Sequence, residues 1–198
     1  IEEALDISDE NLAGSFNGTL LVATVVVLSF LALYYSGNKL VTKTDTSKIA
    51  KPVAIALMIS IGIGLHNFGE GLAIGASVGM GSIAFSTFLI VGFALHNTTE
   101  GIAIAAPMSR GKLMIGKLVA LGLIAGSPAI FGAWIGGFAY SPFSSVVFLA
   151  VGAGAIFQVI LVLLKWIKDE GDKTLSSAAV ICGFAVGMSI MYLTSIFA

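Results

Sequence analysis

The chain has 198 residues, 57% of them hydrophobic and 11% charged, with a formal net charge of −1 and a mean hydropathy of +1.01. Soluble domains carry roughly 25% charged residues, so this composition cannot cover a water-facing surface and points to an all-α polytopic membrane bundle. The near-neutral balance speaks against nucleic acid or a strongly acidic partner, and the length suits one compact helical domain.

Residues 1–17 read as an acidic extracytoplasmic tail, and residues 18–198 as the transmembrane helix bundle. The chain opens with Ile1, and its first stretch, to Asn11, is acidic. A signal peptide needs a basic n-region and a small-residue cleavage site, so the expectation here is a processed form or a fragment. Six apolar runs follow, each long enough for the roughly 20 helical residues that cross a bilayer. The predicted spans run from Gly18 to Ser36, Pro52 to Gly79, Ser82 to Pro107, Leu113 to Ala139, Pro142 to Trp166 and Thr174 to Phe197. Pro52 and Pro142 suit a first helical turn, where the missing N–H costs nothing. Pro128 falls inside the fourth span after Gly126 and Ser127, and predicts a kink.

The basic residues set the orientation. Lys39, Lys43, Lys48 and Lys51 lie between the first two spans, Arg110 and Lys112 between the third and fourth with Lys117 inside the first turns of the fourth, and Lys165, Lys168 and Lys173 between the last two. The other connections and the N-terminal stretch have none. With six alternating crossings every Lys and Arg falls at one face, which the positive-inside rule assigns to the cytoplasm. Both termini are then expected outside, in a plasma membrane.

Helices in lipid associate by close packing, which small residues permit. Gly71, Gly75 and Gly79 on the second span, Gly101 and Ala105 on the third, Gly122, Gly126, Gly132 and Gly136 on the fourth, and Gly183 and Gly187 on the sixth show that spacing. All are read as packing surfaces. The single cysteine, Cys182, permits no disulfide within one chain and is expected as a buried structural thiol.

The second span contains His66-Asn67-Phe68-Gly69-Glu70-Gly71, and the third His96-Asn97-Thr98-Thr99-Glu100-Gly101. These hold the only two histidines in the chain, and Glu70 and Glu100 are the only acids within any predicted span. Residues four apart on a helix are offset by about 40° and one turn in height, so each His/Glu pair can converge on one ion. The spans on 52–79 and 82–107 are joined by a short turn, which places both motifs at one depth. Asn67 and Asn97 sit on the flank, where amide oxygens can assist a ligand or bridge helices. An ionised carboxylate at the bilayer centre costs from about 2.5 kcal/mol to much more, and a divalent cation removes that cost. Imidazole with carboxylate suits zinc and neighbouring transition metals. The plainer alternative is a hydrogen-bonded polar cluster that specifies helix packing.

The two motifs resemble the metal-site sequences of the ZIP family of divalent-metal transporters, most of all its prokaryotic members. That resemblance implies a fold of eight helices with both termini outside, with the six spans here as the third to eighth. It implies that His66, Glu70, His96 and Glu100 form the primary transport site, and that Asn67, Asn97 and Glu100 form part of a second site beside it. In that family the metal-carrying helices move against a scaffold, so that the site faces each side in turn. The family's first two helices have no counterpart here. A sixth-helix carboxylate that would complete the second site is also missing, since the fourth span offers only Ser127 nearby. In the fifth span Gln158 is the one strongly polar mid-span group, read either as a pathway residue or as a packing hydrogen bond.

The expected function is therefore transport of a divalent metal, zinc first, with iron, manganese or cadmium as further candidates, toward the cytoplasm. The metal is substrate rather than resident cofactor, the partners are the ion and the bilayer, no catalytic residue is assigned, and a homodimer stays open. Two other classes compete. An intramembrane zinc hydrolase would also use protein ligands and a water, but no HExxH pair is present and no acid or base is left over. A non-transporting, metal-binding fragment is the other. Charge favours one tightly held ion over two, because two divalent ions against Glu70 and Glu100 leave about +2 in a low-dielectric interior.

Overall fold

The structure, a computed structural model, describes residues 1–11, 18–43, 50–109, 114–170 and 178–196. These form helices α1 (Glu2–Asn11), α2 (Gly18–Lys43), α3 (Ala50–Gly79), α4 (Ile83–Ala105), α5 (Ile115–Phe138), α6 (Pro142–Glu170) and α7 (Ala178–Ile196), with a 3₁₀ turn at Ala106–Met108 after α4. No strand occurs among the described residues.

Five helices, α2 to α6, are long and apolar enough to cross a membrane, and the chain is an all-α membrane bundle. The expected sixth span coincides with α7, whose apolar stretch Ala178–Ile190 is shorter. The flanking parts of that span, 174–177 and 197, lie outside the described residues, as do Lys48, Arg110, Lys112 and Lys173. Pro52 falls in the first turn of α3, Pro142 begins α6, and Pro128 sits within a continuous α5.

Helix α3 is the axis of the bundle. Its most extensive partner is α5, followed by α6 and then α4, while α2 packs chiefly on α6. The α3–α5 contact is a parallel crossing in which small residues let the backbones approach. A Cβ on Gly71 would strike the Ala129 carbonyl, and one on Gly75 the Ala133 carbonyl. From the other side, Gly132 lies on Phe68 and Gly136 on Leu72. Here the small-residue reading holds. It fails for Gly101, Gly122, Gly126, Gly183 and Gly187, where an added Cβ would meet nothing within 4 Å. The same spacing occurs on both kinds of surface, and only the partner helix tells them apart.

The core on the α3 N-terminal half gathers Ala56, Ile59, Ile63, Leu121, Ala125 and Val159 around Ile104 and Met108. At the opposite end Gly81, at φ +76°, closes the α3–α4 turn, where an L side chain would be strained. Its N–H bonds to the Val78 carbonyl and that of Ser82 to the Ser77 carbonyl. The buried hydroxyls of Ser77 and Ser86 then meet across the hairpin at 2.8 Å. This fixes the register in which α4 returns beside α3.

Two expectations change. The N-terminal stretch includes a helix, α1, rather than only a tail. Ala4 and Ser8 are buried against α2 and α6 in a cluster with Val22, Val146 and Ala150, whereas Asp6, Asp9 and Glu10 face outward. Cys182 is exposed, not buried. Helix α7 touches α4 and turns most of its surface away from the protein. In a bilayer that surface meets lipid, which accepts a thiol as readily as a core does.

Candidate metal centre

Helix α3 brings His66, Asn67 and Glu70 to its middle, and the hairpin places His96, Asn97 and Glu100 alongside on α4. The rings of His66 and His96 are 6.5 Å apart, and Phe93 stands edge-on to His96 at 5.5 Å.

Glu70 is the hub. Its Oε1 lies 2.5 Å from His96 Nε2 and 3.3 Å from His66 Nε2. The Asn97 amide reaches its other oxygen at 3.4 Å, a long hydrogen bond. The carboxylate is 7% exposed and His96 similarly enclosed, while His66 is half-buried at 32%. The His96 ring, hydrogen-bonded to Glu70, and the His66 ring in contact with the same oxygen hold the three side chains together.

One ligand atom from each of His66, Glu70 and His96 lies within 4.8 Å of the others. Zinc–nitrogen and zinc–oxygen bonds of about 2.0–2.2 Å put neighbouring ligands of a tetrahedral ion about 3.3 Å apart. The His66–Glu70 separation already matches that spacing, while the His96–Glu70 contact would open by about 0.8 Å to admit an ion. Sub-ångström rotamer adjustment is enough, so the cluster fits a borderline divalent cation.

Glu100 stands beside this group rather than within it. It is in electrostatic reach of His66, Glu70 and His96, yet its Oε2 is buried with no hydrogen-bond partner among the described residues. The same holds for Asn67 Oδ1 and Asn97 Oδ1. Each orphaned buried acceptor costs about 1–3 kcal/mol, and three of them around two imidazoles and a carboxylate make an environment deficient in positive charge. A cation, or water attached to one, would supply what they lack.

Asn67 is anchored in a way the sequence did not disclose. Its amide N–H donates to the Ala125 carbonyl of α5 at 3.1 Å, which turns Oδ1 away from α5. A backbone acceptor leaves no mark in a residue pattern. The central role of Glu70 does have a local signal. Gly71 beside it admits α5 closely at Ala129, while Leu149 of α6 stands at ordinary contact distance from Gly69. In the second motif Thr99 and Gly101 flank Glu100, and Gly101 has open space beyond it.

The described contact of α5 with this group is the Ala125 carbonyl, which accepts from Asn67. No protein-family model, curated protein or solved structure matches the chain.

Proposed function

We propose that this membrane protein is a ZIP-like transporter that carries a divalent metal, zinc first and iron, manganese or cadmium after it, toward the Lys-bearing cytoplasmic face. The observation that carries this reading is the enclosed His66–Glu70–His96 group, midway along two membrane-length helices and ringed by unpartnered oxygens. A purely structural polar cluster would satisfy its own acceptors, since an orphan in a low-dielectric interior is a net cost. Half of the site also rides on α4, which is lightly held, and a site that must face each side of the membrane in turn needs such a boundary.

Both termini are assigned to the outside by the confinement of Lys and Arg to one face. In a Cys182→Ser background, Ser141→Cys should be labelled by an impermeant thiol reagent from outside intact cells and Lys51→Cys should not. The reverse pattern would invert the topology.

Transport itself is tested in liposomes holding a metal-sensitive dye, with the full chain reconstituted. Added zinc should raise the internal signal with saturable kinetics. Zinc binding without any flux would leave a metal-binding protein and remove the transporter reading.

A further inference from the structure

Below the metal centre, toward the Lys-bearing end of α3, the helix repeats one spacing. Met58, Gly62, His66 and Glu70 are each four residues apart, so they succeed one another by about 6 Å along the axis with a drift of about 40° per step. Two of these positions carry metal ligands and one carries no side chain at all. The space at Gly62 is filled from α6: a Cβ there would come within 3.2 Å of Gln158 Oε1 and would also strike Val159. Gly152, further along α6, lies against His66 itself. Gln158 therefore reaches the α3 stripe one turn nearer the basic face than the cluster does.

Gln158 is 1% exposed, and its Oε1 has no hydrogen-bond partner among the described residues. A buried amide oxygen kept without a partner is costly, and packing alone would be served better by leucine or methionine. Gln158 also lines, with Leu33, Ser36, Gly37, Met58 and Ile61, a cavity of about 220 Å³, far above the roughly 10–15 Å³ that one water needs. A second glycine makes room on the α2 side, since a Cβ on Gly37 would strike the Met58 thioether. Gly62 thus admits the Gln158 amide at close range, and Gly37 the Met58 thioether.

We propose that Gln158 Oε1 and Met58 Sδ form a hydrated way station for the divalent cation between the His66–Glu70–His96 cluster and the cytoplasmic face. The inference rests on the transporter reading. A cation leaving two imidazoles and a carboxylate must exchange strong ligands for others before it reaches bulk water. An amide oxygen one turn on, water in the cavity, and a thioether one turn beyond give weaker donors in descending order. The oxygen serves any of the candidate metals, and the sulfur favours softer ions such as cadmium over manganese.

The experiment compares wild type, Gln158→Leu, Gln158→Glu and Met58→Leu in dye-loaded liposomes, with zinc titration of each purified protein alongside. Gln158→Leu should lower the initial zinc flux about tenfold, as losing one oxygen contact from a transit barrier would, while zinc affinity stays within about twofold of wild type. Gln158→Glu restores an oxygen donor and should recover most of the flux, which a packing role would not permit. Met58→Leu should slow cadmium more than manganese, and equal slowing would take the sulfur out of the station. Wild-type flux in Gln158→Leu, equal loss in the Leu and Glu variants, or a parallel loss of zinc affinity would each overturn the proposal while leaving transport standing. Absence of flux in the wild type would instead overturn the transporter reading and the way station with it.

Discussion

Helices α3 and α4 carry near-copies of one six-residue motif, yet the protein treats them differently. In the apolar window of α3, 56% of residues are buried, against 22% in α4. The first copy is held by α5 and α6 through glycines on either side of Glu70, whereas the second leans on α3 and α7 and otherwise faces outward. Duplication supplies equivalent side chains, and the surroundings then separate their roles. A carboxylate wrapped by three helices becomes the centre of the cluster, and one on an edge helix becomes its neighbour. Such a division would give a bound metal a fixed half, packed by α5 and α6, and a half with fewer contacts.

The sharpest way to break this comparison is to neutralise each glutamate in turn. Glu70 touches both histidines and Asn97, so Glu70→Gln should weaken zinc binding by about a hundredfold or more, equivalent to about 2.7 kcal/mol, as measured by isothermal titration. Glu100 lies outside the three-ligand group, and Glu100→Gln should cost less than about tenfold. His66→Ala and His96→Ala should each fall near the Glu70 variant. Equal losses at the two glutamates would mean that the ion draws Glu100 inward and that the two copies act symmetrically.

A second test concerns the scaffolds rather than the ligands. Gly75→Ala puts a methyl group onto the Ala133 carbonyl, and backbone cannot swing aside as a flexible side chain can. The expected cost is about 1–3 kcal/mol, typical of overpacking, seen as a lower unfolding midpoint in detergent. Gly101→Ala adds its methyl where nothing lies within 4 Å and should be neutral or slightly stabilising. If Gly101→Ala proved as damaging as Gly75→Ala, α4 would have a close partner on that face, in this chain or a second copy.

Much of this is legible in the sequence. Span positions follow from apolar length, and the depth and pairing of the motifs follow from helical spacing and a short turn. Those two facts bring His66, Glu70, His96 and Glu100 together, and the structure groups the first three and sets Glu100 beside them. What the pattern could not convey was asymmetry. Gly71 and Gly101 are the same residue at the same motif position, and only the arrival of α5 at the first of them makes it a contact. The exposure of Cys182 is not legible in its apolar run, because such a run in lipid has no inside or outside until its neighbours are known. Residues 2–11 carry Ala4 and Ser8 four apart, a helical spacing hidden by the acids around them.

The smallest contrast is between the two asparagines, and it separates anchoring from ligand support. Asn67 is 3% exposed and donates to the Ala125 carbonyl, so it links the His/Glu cluster to α5. Asn97 is only partly buried, and its one described bond is the long contact to Glu70. Asn67→Ala removes a good buried hydrogen bond and leaves the Ala125 carbonyl without this donor, a loss of about 1–2 kcal/mol in stability. Asn97→Ala removes a bond near the limit of useful length and should cost less than about 0.5 kcal/mol. Neither change deletes a member of the three-ligand group, so zinc affinity should fall only a fewfold in both. Thermal unfolding with and without zinc distinguishes the roles: the Asn67 deficit should persist when zinc is bound, because the link to α5 is independent of the ion. If zinc abolished that deficit while Asn97→Ala became the weaker zinc binder, the ion would be engaging the α4 asparagine, and α4 rather than α3 would be the fixed half of the site.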